Sequence, residues 1–391
     1  MRRTPGLAQR LGHRCIAAML AAITVLSVPS PASAAGLEPV ASFGSNPGNL
    51  AMYAYRPEGL PANAPAVVLL HGCTQNATGY FTHSGWRKFA DQWRFALVLP
   101  EQRSGNNAGS CFNWFEAGDT GRDAGEALSI RQMVGHAVAN LGVDAGRVFV
   151  SGLSAGGAMS TVMLATYPDV FAAGSVVAGL PYRCAASLSQ AGTCQYSPPD
   201  RSPAQWGDLV RAAYPGYTGP RPRVAVWQGQ SDYTVVPANG AELRDQFTDA
   251  LGVPAQPTGT STLPAGTTLE VYGADQVRLY KITGMGHGTP VDPGSAADQC
   301  GTAAAYFLDT ICSAYRDAVF FGLGGGTPTD PEPTEPMCVT ATNYAHVQAG
   351  RAYLSGGYAY AQGSGQRMGL YTVYTSTTLR QTAPGSWAIG C

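Results

Sequence analysis

Three residues, spaced widely along the chain, have the side chains that acyl transfer requires. Ser154 sits in Gly152-Leu153-Ser154-Ala155-Gly156, a G-x-S-x-G pattern. A β-branched apolar run, Val148-Phe149-Val150, precedes it, and small residues at helical spacing follow from Ala155 to Tyr167. That order predicts a serine held in a strained strand-to-helix turn, with glycines where a larger neighbour would clash. The N-terminus of the following helix favours developing negative charge. A hydroxyl needs a base, and in this kind of turn the acid and the histidine follow the serine in chain order. Of the six histidines only His287 and His346 follow Ser154. His346 lies beyond a linker, so His287, in Gly284-Met285-Gly286-His287-Gly288, is the expected base. Asp232 follows the apolar run Val224-Ala225-Val226-Trp227 and is expected to orient the imidazole and stabilise its protonated form. Asp208, Asp245, Asp249 and Asp275 are rivals that follow no such clear strand.

An oxyanion formed in such a reaction needs backbone donors. The N–H after the serine, that of Ala155, is one. The second is expected from the loop after an earlier strand, where His71-Gly72-Cys73-Thr74-Gln75 follows Ala66-Val67-Val68-Leu69-Leu70, and Cys73 N–H is the choice. Chain order argues against His71 as the general base.

The elements that must position these groups read as alternating strands and helices. Apolar runs at 66–70, 96–100, 148–150, 224–227 and 277–282 have the character of buried strands. Between the second and third, Ala127, Ile130, Val134 and Val138 give residues 123–141 helical periodicity. The pattern predicts a mostly parallel sheet covered by helices on both faces.

Composition adds limits. A net charge of −1 gives no global attraction to nucleic acid or anionic lipid. No glycine-rich phosphate loop and no close Cys/His metal spacing occurs, so no cofactor and no metal is expected. Residues 1–34 read as a signal peptide: Arg2, Arg3, Arg10 and Arg14, an apolar run from Cys15 to Val28, then Ala32-Ser33-Ala34 as a cleavage site. The run is short of the roughly 20 residues that span a bilayer, so a secreted, extracellular protein is expected rather than a membrane one. Of nine cysteines, Cys15 would leave with the signal. The remaining even number implies disulfides, with about 105 connectivities open. Short loops favour Cys184–Cys194 and Cys300–Cys312, Cys338–Cys391 would bracket the C-terminal segment, and Cys73–Cys111 is left by elimination.

Residues 324–336 are glycine, then proline and threonine with acids, and read as an extended linker. They separate an expected catalytic domain, 35–323, from a small module, 337–391. The module carries Tyr344, Tyr353, Tyr358, Tyr360, Tyr371, Tyr374 and Trp387, with three arginines and no acid. Alternating runs such as 369–374 predict a small β-structure there.

The segments His71-Gly72-Cys73-Thr74-Gln75, Cys111-Phe112-Asn113-Trp114-Phe115, Gly152-Leu153-Ser154-Ala155-Gly156-Gly157 and Gly284-Met285-Gly286-His287 together resemble the extracellular polyhydroxybutyrate depolymerases. The resemblance spans about residues 40–320, with the oxyanion motif ahead of the serine. It implies an α/β-hydrolase fold and a secreted serine esterase that cleaves solid poly(3-hydroxyalkanoate) esters, using Ser154, Asp232, His287 and the Cys73 donor, and Trp114 is an expected substrate contact. Feruloyl and acetylxylan esterases share similar motifs, so a cell-wall esterase is the alternative, and a non-catalytic surface-binding protein of the same fold is a third reading. The C-terminal segments "NYAHVQAGRAY" and "MGLYTVYTSTTLRQT" resemble substrate-binding domains of polyester depolymerases. Tyr344, Tyr358, Tyr371 and Trp387 are the expected contacts there, with granules or film as the partner, and the enzyme is expected to be a monomer.

Overall fold

The computed structural model describes residues 36–324, 338–383 and 386–390. The signal segment, most of the linker and the Cys338–Cys391 pairing lie outside the described residues.

A ten-stranded sheet organises residues 36–324. Its strands in chain order are β1 (Glu38–Val40), β2 (Ala51–Tyr55), β3 (Ala64–Leu70), β4 (Ala96–Glu101), β5 (Val143–Leu153), β6 (Ala173–Val177), β7 (Arg223–Gly229), β8 (Gly259–Leu263), β9 (Thr267–Tyr272) and β10 (Val277–Ile282). Their spatial order is β1-β2-β4-β3-β5-β6-β7-β10-β9-β8. The six strands from β4 to β10 run parallel, and antiparallel pairs close both ends. This is an α/β-hydrolase sheet.

The apolar runs are continuous because both faces are covered, and side chains alternate between them. Ala66, Val68, Leu70, Val148, Val150, Val224 and Val226 pack into one core with helices Gly125–Leu141, Ala155–Thr166 and Ala238–Ala250. Val67, Leu69, Phe149, Ala225 and Trp227 pack into a second with helices Ala77–His83, Trp86–Trp93 and Ser313–Phe320. The second core is aromatic: Trp227 stacks on Tyr280 of the neighbouring strand, with ring centroids 3.7 Å apart. The helix expected over 123–141 begins at Gly125. Every residue of helix Ala155–Thr166 is buried, which accounts for its small side chains.

Residues 338–383 and 386–390 hold two three-stranded sheets and a short helix, Asn343–Gln348. Their core is thin: Ala352, Ala359, Ala361, Met368, Leu379 and Trp387. The run expected as a strand over 369–374 is a strand only to Leu370. Residues 371–374 bend instead, and the Thr372 hydroxyl accepts from the N–H groups of Tyr374 and Thr375. Such side-chain turns compete with a strand ladder.

Candidate active site

Four loops leave the carboxyl ends of parallel strands, the edge at which open α/β sheets bind ligands. Residues 71–75 follow β3, Ser154 follows β5, Asp232 follows β7 and His287 follows β10. The strand order places β3 beside β5 and β7 beside β10, so groups up to 216 positions apart in the chain meet at one edge.

Ser154 has φ 56° and ψ −118°, a strained conformation for a residue with a Cβ. The surrounding glycines make it reachable. A Cβ at Gly152 would run into the Gly156 carbonyl, and a Cβ at Gly156 would run into the Leu70 and His71 carbonyls. The Ser154 N–H donates to Val177 O at 2.9 Å, which ties the turn to β6. Ala155 opens the helix, so its N–H belongs to the first turn and has no intrahelical acceptor.

Asp232 is buried and its carboxylate is fully used. Oδ1 accepts from the N–H groups of Thr234 and Val235, both at 2.8 Å, and Oδ2 faces His287 Nδ1 at 2.8 Å. A carboxylate oxygen accepts, so Nδ1 is the donor in that contact and Nε2 is the ring nitrogen left to act as an acceptor. The two loops are clamped together: Gln230 N–H donates to Ile282 O and Ser231 N–H to Met285 O, each at 2.9 Å. Gly229 permits this, because a Cβ there would meet the Met285 and Gly286 carbonyls. The rival aspartates are engaged elsewhere, Asp208 and Asp249 with Arg211, Asp245 with Arg244 and Asp275 with Arg278.

Ser154 and His287 line one cleft of about 210 Å³ with Gly72, Cys73, Thr74, Gln75, Leu153, Gln195, Thr234 and Tyr306. No hydrogen bond joins Ser154 Oγ to His287 here; such contacts commonly tighten only with substrate. Three disulfides hold the loops around the cleft: Cys73–Cys111, Cys184–Cys194 and Cys300–Cys312. The first ties the 71–75 segment to 111–115, and the Thr74 N–H donates to Gly109 O at 2.7 Å across the same junction. The second pins helix Leu188–Tyr196, and Val236 N–H donates to Gln195 O at 3.0 Å, so that helix is bound to the aspartate loop.

His71 is buried behind the cleft. Its Nδ1 donates to Gly72 O at 2.7 Å and its Nε2 accepts from Gln102 N–H at 3.1 Å. Burial pushes its pKa down to about 4, so it stays neutral. Both ring nitrogens are committed to the backbone, which removes it as a base. His346, in the C-terminal segment, is likewise structural, with Nε2 donating to Thr377 O at 2.8 Å and burial lowering its pKa.

Two expected contacts need correction. Trp114 is 6% exposed and packs in the first core, behind the cleft rather than in its lining. Trp387 is 7% exposed and forms part of the C-terminal core, where a domain short of apolar volume needs its largest ring. Tyr344 is exposed, while Tyr358 and Tyr371 are half-buried. Tyr344 and Tyr371 lie 5.3 Å apart between ring centroids, and the Arg367 guanidinium covers the Tyr358 ring. The sequence reading missed Gln195, Thr234 and Tyr306 in the cleft wall. Only the position of Thr234, two residues after Asp232, offered a signal.

The sheet order and the serine turn at its centre define an α/β-hydrolase. A family profile described as esterase PHB depolymerase matches residues 48–271. Poly(3-hydroxyalkanoate) depolymerase C of Paucimonas lemoignei is 51% identical over 308 residues, covering 78% of this chain and 74% of that protein. An acetylxylan esterase of Coprinopsis cinerea is 38% identical over 275 residues, covering 67% of this chain and 72% of that one. Among solved structures, the acetyl xylan esterase from Aspergillus awamori superposes with a TM-score of 0.64 at 28% identity, covering 74% of this chain and 99% of that one. The chain belongs to the esterase PHB depolymerase family and is a carboxylic ester hydrolase.

Proposed function

We propose that this protein is a secreted poly(3-hydroxybutyrate)-type polyester depolymerase. Ser154 is the nucleophile, His287 the base and Asp232 its orienting acid, with the Cys73 and Ala155 N–H groups as oxyanion donors. His287 Nε2 takes the Ser154 hydroxyl proton as Oγ attacks the ester carbonyl. The tetrahedral oxyanion is held by the two N–H groups. Collapse breaks the ester C–O bond, and His287 returns the proton to the departing hydroxyl end of the polymer. Water, deprotonated by the same imidazole, then hydrolyses the acyl-enzyme, releasing a hydroxyacid monomer or oligomer. One chain supplies every group named, so a single chain is the catalytic unit in this reading.

The observation that carries the substrate is the 51% identity to a poly(3-hydroxyalkanoate) depolymerase across 78% of the chain. The surface around the cleft agrees with it. Within residues 36–324 the large apolar side chains that stand well exposed are Leu188, Tyr196, Tyr233 and Tyr306. Tyr306 lines the cleft, Tyr233 (84% exposed) lies between Asp232 and Thr234, and Tyr196 follows Gln195. Exposed tyrosines next in sequence to cleft-lining residues could offer a polyester chain apolar contact. We assign residues 1–34 as the signal peptide, 35–323 as the catalytic domain, 324–336 as the linker and 337–391 as a polymer-binding module contacting its substrate through Tyr344, Tyr358 and Tyr371. Three disulfides support an extracellular setting. Clearing of a poly(3-hydroxybutyrate) granule suspension, measured beside hydrolysis of a feruloyl ester and an acetylated xylan, tests the reading. Turnover of the sugar esters with no granule clearing would overturn it.

A further inference from the structure

A buried polar cluster lies behind the oxyanion segment and takes no part in the chemistry described above. Glu126 stands in the first turn of helix Gly125–Leu141, 1% exposed. Its Oε2 accepts from Asn113 N–H at 2.9 Å, and its Oε1 accepts from Gln102 Nε2. Gln102 follows β4 and is 3% exposed. Every hydrogen-bonding position of its amide is occupied. Nε2 donates to Cys111 O at 3.0 Å as well as to Glu126, while Oε1 accepts from Arg103 N–H at 3.0 Å and Asn106 Nδ2 at 2.8 Å. The Gln102 backbone N–H reaches the other way, to His71 Nε2.

Two arms therefore converge on one peptide. Through His71 the cluster grips the Gly72 carbonyl. In a planar trans peptide the N–H points opposite to the C=O, so a fixed Gly72 carbonyl fixes the direction of the Cys73 N–H. Through the Cys111 carbonyl and the Asn113 N–H the cluster grips the segment on the far side of the Cys73–Cys111 disulfide. A carboxyl group is an expensive choice for so dry a place, and an apolar side chain would fill the volume at lower cost. Burial pushes the Glu126 pKa up to about 8, with Asp119 adding to the rise and the bonds from Asn113 and Gln102 opposing it.

We propose that Glu126, acting with Gln102, is a positioning residue for ester hydrolysis: it sets the place of the Cys73 N–H by bracing the peptides on both sides of it. The inference rests on the reading of Cys73 N–H as an oxyanion donor. A misplaced donor weakens binding of the tetrahedral oxyanion far more than binding of the neutral ester, so the loss falls on kcat.

The test is steady-state hydrolysis of a soluble p-nitrophenyl ester by the full-length enzyme, at a temperature well below each variant's melting point. Glu126→Ala should lower kcat at least ~10-fold with KM within about twofold, since displacement of a reacting group by about 1 Å can cost ~100-fold. Glu126→Gln keeps one of the two acceptors but sets an NH2 against a donor, so its kcat should fall between those of Glu126→Ala and wild type. Gln102→Leu attacks the same cluster from the β4 side and should reproduce the kcat loss, which keeps the question decidable if Glu126→Ala does not fold. Wild-type kcat in folded Glu126→Ala or Gln102→Leu, or a loss confined to melting temperature, would overturn the proposal. Ser154→Ala run alongside separates the two levels: if it retains activity the active-site reading fails, whereas an inactive Ser154→Ala beside a fully active Glu126→Ala defeats only the positioning role.

Discussion

At Ser154 the backbone conformation and the chemistry make opposite demands on stability. A φ of 56° is costly for any residue with a Cβ, of order 1–3 kcal/mol. Replacing alanine by glycine ordinarily destabilises a protein, but here the order should reverse. Ser154→Gly should melt at a higher temperature than Ser154→Ala, and both should be inactive; scanning calorimetry of the pair checks this, and a lower melting point for the glycine variant would refute stored strain. Ser154→Ala and His287→Ala should each lower kcat by ~10⁴-fold or more, with no further loss in the double variant, because neither group activates the hydroxyl alone. Asp232→Asn should be nearly as severe. An amide at 232 can donate to His287 Nδ1, so the proton moves to Nε2 and the base is lost. The contact of Asp232 with His287, and the cleft that His287 shares with Ser154, were legible in the sequence because the serine turn has a local signature and chain order then leaves few partners. Glu126, Gln102 and the role of His71 were not. Their meaning comes from contacts between residues 71, 102, 111, 113 and 126, on separate elements, and no spacing rule marks such a meeting. Trp114 and Trp387 were misread because composition shows how many aromatics a segment has, not which way they face.

Among the elements, helix Ser313–Phe320 joins the second core through a carboxyl group. Asp317 is fully buried, and Trp227 Nε1 donates to its Oδ1 at 2.8 Å. Burial pushes its pKa up to about 7, against the opposing pull of Ser175, Trp227 and Arg278. An unfolded aspartate titrates near ~3.9. Between those values the folded chain holds a proton that the unfolded chain has released, so stability must fall as pH rises through the interval. Glu126, raised to about 8, has the same sign. Asp317→Asn removes one such term. The drop in melting temperature from pH 5 to pH 8.5 should be visibly smaller in that variant, and identical pH profiles would show that Asp317 stays ionised when folded. The five apolar runs read from sequence are the central strands β3, β4, β5, β7 and β10, whose two-sided burial makes them continuous. The strands not foreseen lack that signal. β8 is Gly-Thr-Ser-Thr-Leu and mostly exposed at the sheet edge, β1 is three residues long, and β6 is too rich in small residues to stand out.

For the molecule as a whole, the decisive question is whether the C-terminal residues serve catalysis or only delivery to a solid. Two large cores are built wholly from residues before 324, and the third wholly from residues 339–387. Ser154, Asp232, His287 and the residues lining their cleft all belong to the earlier part. Deletion of residues 324–391 should therefore leave a folded hydrolase, with Leu323 still seated in the second core. Its kcat and KM on a soluble short-chain ester should match those of the full chain, because that substrate needs only the cleft. Its rate on polyester granules should fall steeply at low enzyme concentration, since a second contact with the solid raises the local concentration of the first. The deficit should shrink as enzyme is added, because mass action replaces tethering. Tyr374, 94% exposed, with Tyr344, Leu370 and Val373 also open to solvent, offers an apolar surface for that contact. Binding through such a surface should change little between low and high salt. Granule pull-down at two salt concentrations, with paired soluble and solid assays of the truncated enzyme, decides the matter. Equal losses on both substrates would mean that the C-terminal residues support the catalytic fold itself. Wild-type granule clearance by the truncated enzyme at every concentration would mean that residues before 324, such as the exposed Tyr196, Tyr233 and Tyr306, suffice to hold the polymer.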